Sequence, residues 1–180
     1  MSLCLILGPM KSGKSLALIN HFQELKKKGE TFQLYQPVLN VRDQEICSRA
    51  GLSMKAEKID ALKDIPLNRR GVIGIDELHM FKKEDVASVK FLLSKDKKII
   101  AAGLDKDYKG KLFLIIKGLL ALEPAVTYLT TRCELCGIRD AAYSQIYKNG
   151  VPVVEGLPAV VPDDGRFTYR PVCEKCFVKK

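Results

Sequence analysis

The sequence predicts an α/β fold: a mainly parallel sheet with flanking helices, followed by a small appendage stapled by metal. Three observations carry this. Apolar runs alternate with helically spaced apolar residues through the first ~130 positions, the rhythm of strand–helix–strand crossovers. A glycine-rich turn, Gly8-Pro9-Met10-Lys11-Ser12-Gly13-Lys14-Ser15, follows the first apolar run and opens the first helical pattern. After Thr131 the rhythm gives way to two Cys-x-x-Cys pairs, aromatics, and a Pro/Gly/Asp-rich stretch from Val151 to Arg166.

Taken in order, Leu3 to Leu7 reads as a buried strand. Leu18, Ile19, Phe22 and Leu25 share a helix face that Gly29 terminates. Phe32 to Tyr35, Val72 to Ile75 and Lys98 to Ala102 read as further strands, with Val86, Val89 and Leu93 marking a helix before the last of them. Phe113 to Leu122 reads as a helix stopped at Pro124, and Val126 to Leu129 as a strand. No internal repeat is visible. The predicted division is 1–130 and 131–180, the second part being too short to hold itself together by apolar burial alone.

Composition bounds the rest. The chain has 180 residues, 47% of them hydrophobic, enough for one core domain with a small addition. No apolar run approaches the ~18 residues of a membrane span. Met1 to Leu7 is too short for a signal-peptide core and lacks a basic leader, so a reducing cytoplasm is expected. The formal charge of +9 raises the question of nucleic acid. However, Lys26 to Lys28 and Lys95 to Lys98 sit beside helix and strand ends without interleaved aromatics, and anionic nucleotides are the expected partners instead.

The glycine-rich turn matches G-x-x-x-x-G-K-[ST] at every fixed position and in the required strand–helix context. Gly8 and Gly13 let the backbone bend until several N–H groups face one phosphate, and the following helix adds its positive end. Lys14 is expected to reach the β- and γ-phosphates of ATP, and Ser15 to ligate Mg²⁺. A second apolar run, Gly71 to Ile75, ends in Asp76 and Glu77. Such a strand is expected beside the loop, with Asp76 holding Mg²⁺ and Glu77 near the γ-phosphate as general base.

Six cysteines are present, of which Cys4 lies in the first strand and Cys47 stands alone. Cys133-x-x-Cys136 and Cys173-x-x-Cys176 make two knuckles separated by 36 residues. Four thiolates at about 2.3 Å from one Zn²⁺ form a closed, structural site. The separation exceeds the usual ~15–20, so a long loop must leave and return. A redox pair or two disulfides are the competing readings. His21, read as a helix-surface residue, and His79 are not needed as ligands.

Together these parts resemble the zinc-containing, P-loop type of thymidine kinase found in bacteria, poxviruses and animal cytosol. The carriers are Gly8-Pro9-Met10-x-Ser12-Gly13-Lys14-Ser15, Ile75-Asp76-Glu77, Gly103-Leu104-Asp105-x-Asp107-Tyr108 through Phe113, Cys133-x-x-Cys136, and Tyr169-x-x-Val172-Cys173-x-x-Cys176. The resemblance covers nearly the whole chain. It implies a RecA-like P-loop sheet and a zinc-ribbon-like domain whose loop, from about Tyr147 to Tyr169, closes over thymidine as a lasso. It also implies Glu77 as the base on the sugar 5′-hydroxyl, Arg42 near the phosphates, and structural Zn²⁺ beside Mg²⁺ with ATP. Leu104, Tyr108, Phe113, Tyr169 and Met80 are implied at the nucleoside. The assembly implied is a tetramer, with a dimer as the lesser form.

Departures gather near the base pocket. The family pattern Asp-Glu-x-Gln-Phe is here Asp76-Glu77-Leu78-His79-Met80, Tyr108 stands where phenylalanine is usual, Lys109 where arginine is common, and Asn40 where aspartate is common. The Gly156 to Phe167 stretch is longer than the family's. The expected activity is transfer of the γ-phosphate of ATP to the 5′-hydroxyl of thymidine or deoxyuridine. Two alternatives stay open: a zinc-knuckle P-loop ATPase acting on nucleic acid, and a nucleotide-binding paralogue without turnover.

Overall fold

The computed structural model describes residues 2–68 and 71–179. Along the chain run β1 (Ser2–Leu7), α1 (Lys14–Lys27), β2 (Phe32–Pro37), β3 (Ile46–Cys47), β4 (Ser53–Met54), β5 (Glu57–Ile59), β6 (Val72–Ile75), α2 (Asp85–Ser94), β7 (Lys98–Gly103), α3 (Leu114–Leu120), β8 (Ala125–Tyr128), β9 (Tyr143–Lys148), β10 (Val151–Pro152) and β11 (Thr168–Val172). Six strands form one sheet in the order β5-β2-β6-β7-β1-β8, and every pairing in it is parallel.

Alternation along the strands decides which helix covers which face. Leu3, Leu5 and Leu7 of β1 join Ile73 and Ile75 of β6 and Ile99 and Ala101 of β7 in a core with α2 and α3. The intervening residues, Val72, Ile100 and Ala102, face Leu18, Ile19, Phe22 and Leu25 of α1. Gly74 belongs to this second face because Phe22 needs the space: a Cβ there would lie 2.6 Å from the Phe22 ring. Burial on both sides explains why these strands read as near-continuous apolar runs.

The sequence reading of β1, α1, β2, β6, α2, β7, α3 and β8 agrees with these elements to within a few residues. It did not foresee the short β3–β4 hairpin, β5, or the antiparallel β10-β9-β11 sheet of the cysteine-bearing part. His21 is exposed on α1. No helix among the described residues is long and apolar enough to cross a membrane.

Candidate active site

Parallel pairing brings the carboxyl ends of the strands to one edge. Leu7 is level with Gly103, and Ile75 with Ala101 and Tyr35. The segments that leave β1, β6, β7 and β2 therefore converge, where ligands of open α/β sheets bind. In the sheet, β7 lies between β6 and β1. Asp76 nevertheless reaches the loop, where its carboxylate accepts a hydrogen bond from the Ser15 hydroxyl.

The loop after β1 has the geometry of a phosphate cradle. Gly8 has φ 152°, and a Cβ on it would lie 2.2 Å from the Leu129 carbonyl oxygen, so no side chain fits. Gly13 adopts φ 87° as the residue before α1. The Lys14 ammonium is buried and donates to the Pro9 carbonyl at 2.7 Å. Burial pushes its pKa down, against the opposing pull of Glu77, Asp76 and Asp105. The Ser12 hydroxyl is buried with no hydrogen-bond partner among the described residues. An orphaned polar atom and a buried ammonium in one cradle suit an anion with several oxygens. A cavity of ≈ 250 Å³ opens on this loop, and Lys14, Ser15, Arg42, Arg49, Glu77 and Leu104 are among its walls.

Two carboxylates end β6. Burial and the neighbouring Glu77 charge raise Asp76 to about 7, against the lowering effects of the Glu77 amide, Ser15 and Lys14. Glu77 is also raised by burial; Lys14 and Arg42 oppose this, while Asp43 and Asp163 add to it. Its Oε1 lies 3.9 Å from Arg42 Nη2. Arg42 itself donates to Asp43 at 2.6 Å and to Asp163 at 3.0 Å. The pair Ser15–Asp76, a hydroxyl and a carboxylate in contact, is an oxygen donor set suited to Mg²⁺.

A second, tighter space of ≈ 20 Å³ adjoins the first and shares Leu104 with it. Tyr108, Phe113, Tyr169 and His79 line it as well. The 153–167 segment covers it, with the Tyr108 hydroxyl bonded to Leu157 and the Tyr169 hydroxyl donating to the Val161 carbonyl at 3.1 Å. Met80 lines neither cavity; His79, one residue earlier, occupies the wall and packs on Phe113 with ring centroids 4.9 Å apart. Burial and the Lys14 charge lower His79 to about 3. It is therefore neutral, and its Nδ1 accepts the Leu104 amide at 3.3 Å. Its 3.6 Å approach to Glu77 is accordingly no ion pair.

Cys133, Cys136, Cys173 and Cys176 offer four sulfurs all within 4.8 Å of one another. Cys136 and Cys173 sulfurs are 3.9 Å apart, close to the ~3.8 Å edge of a tetrahedron with ~2.3 Å Zn–S bonds. Burial opposes ionisation of Cys133, but amides of Cys136, Cys173 and Leu135 aimed at its sulfur bring it down to about 6. The cluster is positioned to hold a metal ion, and the all-thiolate donor set fits zinc. It is also tied to the phosphate loop. The Met10 amide donates to Ser144 Oγ of β9 at 2.8 Å, and Lys11 pairs with Glu134, next to Cys133.

Arg49, Ser144 and Asp163 were not singled out from sequence. Each sits in a segment without a motif of its own: Arg49 in the turn between β3 and β4, Ser144 in β9, Asp163 in the long covering segment. His79 had a signal, since it stands inside the Asp-Glu motif in place of the family's glutamine.

Comparison with known proteins agrees with this geometry. The family model described as "Thymidine kinase" matches residues 1–177. The chain is also similar to a curated thymidine kinase of Thermococcus kodakarensis, 32% identical over 180 residues, covering 94% of this chain and 90% of that protein. A match that runs from the phosphate loop through all four clustered cysteines leaves neither part of the site outside it, and the chain belongs to the thymidine kinase family.

Proposed function

We infer that the protein transfers the γ-phosphate of ATP to the 5′-hydroxyl of thymidine. The observation that supports this most directly is the meeting of two cavities at Leu104, one walled by Lys14, Ser15 and Glu77, the other by His79, Tyr108, Phe113 and Tyr169. A triphosphate in the first and a nucleoside in the second bring donor and acceptor together beside Glu77.

The roles follow from the chemistry of each group. Loop amides, the Ser12 hydroxyl and Lys14 bind the phosphates, and Arg42 and Arg49, which line the same cavity, add positive charge. Ser15 and Asp76 would hold Mg²⁺, which would supply positive charge to the bound triphosphate. Glu77 takes the proton of the 5′-hydroxyl. Burial makes its carboxylate more basic than one in water, while Lys14 and Arg42 help keep it ionised. His79 stays neutral and positions Leu104 through its amide. The 153–167 segment excludes water that could otherwise accept the phosphate. Structural Zn²⁺ on the four cysteines supplies folding energy to residues 131–180, distinct from a catalytic domain of residues 1–130. A cytoplasmic, tetrameric enzyme belongs to the same reading.

An acceptor screen across the natural nucleosides with radiolabelled ATP tests it. Thymidine 5′-monophosphate is the expected product. Glu77→Gln is expected to abolish its formation while ATP still binds; full activity in that variant removes Glu77 from the mechanism. ATP hydrolysis stimulated by DNA, with no nucleoside acceptor, overturns the assignment.

A further inference from the structure

His79 is 5% exposed and held in one orientation. Its backbone lies against the end of β7, where Gly103 leaves room; a Cβ on Gly103 would come 3.1 Å from the His79 amide nitrogen. Its ring packs on Phe113 with centroids 4.9 Å apart. Its Nδ1 accepts the Leu104 amide at 3.3 Å. Turning the ring over would set Cδ2 against that amide and leave a buried donor unpaired. The same hydrogen bond assigns the tautomer. Nδ1 presents its lone pair to Leu104 and burial keeps the ring neutral, so the single proton sits on Nε2. Among the described residues no group accepts that N–H. The side chain lines the cavity that it shares with Tyr108, Phe113 and Tyr169. A donor on a residue more than nine-tenths buried, with no protein acceptor, is therefore available to a ligand there. The other ring nitrogen, Nδ1, lies 3.6 Å from Glu77 Oε2. The free N–H is thus one ring width from the carboxylate assigned to the 5′-hydroxyl.

We propose that His79 is a specificity-determining residue: its Nε2–H donates a hydrogen bond to an oxygen of the bound nucleoside, either the 3′-hydroxyl or a pyrimidine carbonyl. Selectivity comes from the fixed tautomer. A hydroxyl in this place would rotate to suit a donor or an acceptor. This imidazole offers the cavity a donor only, because moving its proton to Nδ1 would set two N–H groups face to face at Leu104. A ligand that places an amino group opposite Nε2 meets the same conflict, with both donors left unpaired. The proposal rests on reading this cavity as the nucleoside site.

The chain has two histidines, so long-range proton–nitrogen NMR of the full-length protein can resolve the His79 ring. The Nε2–H tautomer is expected, unchanged from pH 5 to 8. Thymidine is expected to move the Nε2 proton downfield without changing the tautomer. Two variants separate the nitrogens. In His79→Asn the amide oxygen takes the place of Nδ1 and nothing replaces Nε2. In His79→Gln the amide N–H takes the place of Nε2 and Leu104 loses its acceptor. His79→Asn is therefore expected to keep its Tm and to bind thymidine about 3- to 10-fold more weakly in calorimetry. His79→Gln is expected to lose Tm and to bind thymidine within about 2-fold of wild type. Comparing 3′-deoxythymidine, 2-thiothymidine and 4-thiothymidine locates the partner oxygen. The analogue lacking it binds wild type more weakly by the same factor, and binds His79→Asn as well as thymidine does. Four results overturn the proposal while thymidine still binds: an Nδ1–H tautomer, an unmoved Nε2 proton, wild-type affinity in His79→Asn, or no analogue coupled to it. No thymidine binding by the wild type removes the functional reading itself, and the proposal with it.

Discussion

Replacing Ser144 by alanine removes one hydroxyl from the junction between the phosphate loop and the cysteine-bearing sheet. Its Oγ accepts the Met10 amide at 2.8 Å, and Ser144 is 5% exposed, so little water can replace it. Leaving a buried donor unpaired costs about 1–3 kcal/mol. Met10 is half-buried, which places the cost near the lower end, ~1–1.5 kcal/mol. For a chain of this length that corresponds to a fall in Tm of about 2–6 °C. The remaining tie, Lys11 to Glu134, joins side chains 28% and 35% exposed and offsets less than about 1 kcal/mol. The loop then samples geometries that bind phosphate poorly, and the KM for ATP rises by up to about tenfold. Ser144→Thr keeps the hydroxyl and serves as control. Thermal unfolding and an ATP titration at saturating thymidine measure both effects. An alanine variant with unchanged Tm and unchanged ATP KM, or a threonine variant as impaired as alanine, refutes the coupling.

Two further outcomes are expected. Asp76 is held at about 7, above its ordinary value of 3.8. The native state therefore binds more protons than the unfolded state between those values, and stability falls as pH rises through that window, by up to about 1.4 kcal/mol per unit. Urea unfolding of nucleotide-free protein from pH 5 to 7 should show a steeper decline in wild type than in Asp76→Asn; equal slopes assign the effect elsewhere. Removing the metal with a chelator should lower Tm, and should also weaken ATP binding measured by fluorescence titration. Among the described residues the cysteine cluster packs with Val172, Phe177 and the half-buried Tyr143, and the cysteine-bearing part is tied to Met10 and Lys11. ATP affinity unchanged in metal-free protein contradicts that tie.

How much of this was legible in the sequence depended on whether a residue's role is local. Gly8 and Gly13 are dictated by backbone conformation and by the approach of Leu129, so the motif and its consequence travel together. The cysteines announce their chemistry by type and spacing, although 36 residues separate the pairs. β6 and β7 are buried on both faces, β1 is buried on one and half-buried on the other, and all three leave apolar runs. By contrast, β7 separates β6 from β1, and pairing order leaves no mark in a strand's own residues. Ser144 and Asp163 act across 134 and 121 positions, on an amide and a guanidinium that no local pattern identifies. The β10-β9-β11 sheet leaves little apolar periodicity, because β9 buries the polar residues Ser144 and Gln145. Met80 and His79 illustrate a finer limit. A motif fixes the neighbourhood of both, but a single 3₁₀ turn over Leu78–Met80 decides which of the two faces the cavity.

That turn explains how two consecutive acids can serve one site. In an extended strand, Asp76 and Glu77 would project to opposite faces of the sheet, and one of them would be lost to the core. Glu77 instead adopts φ 50°, a left-handed conformation that costs a non-glycine residue about 1–2 kcal/mol. The alternation breaks there. Asp76 completes the strand and meets Ser15, while Glu77 turns the chain, lines the phosphate cavity and leaves Leu78 to enter the core. The next residue, His79, is carried back to Leu104, the residue both cavities share. Strain at one carboxylate thus gives a strand end two acidic groups beside the glycine-rich loop and a neutral imidazole against the Leu104 amide. Glycine at position 77 would keep the turn without strain but remove the carboxylate that lines the cavity at the glycine-rich loop.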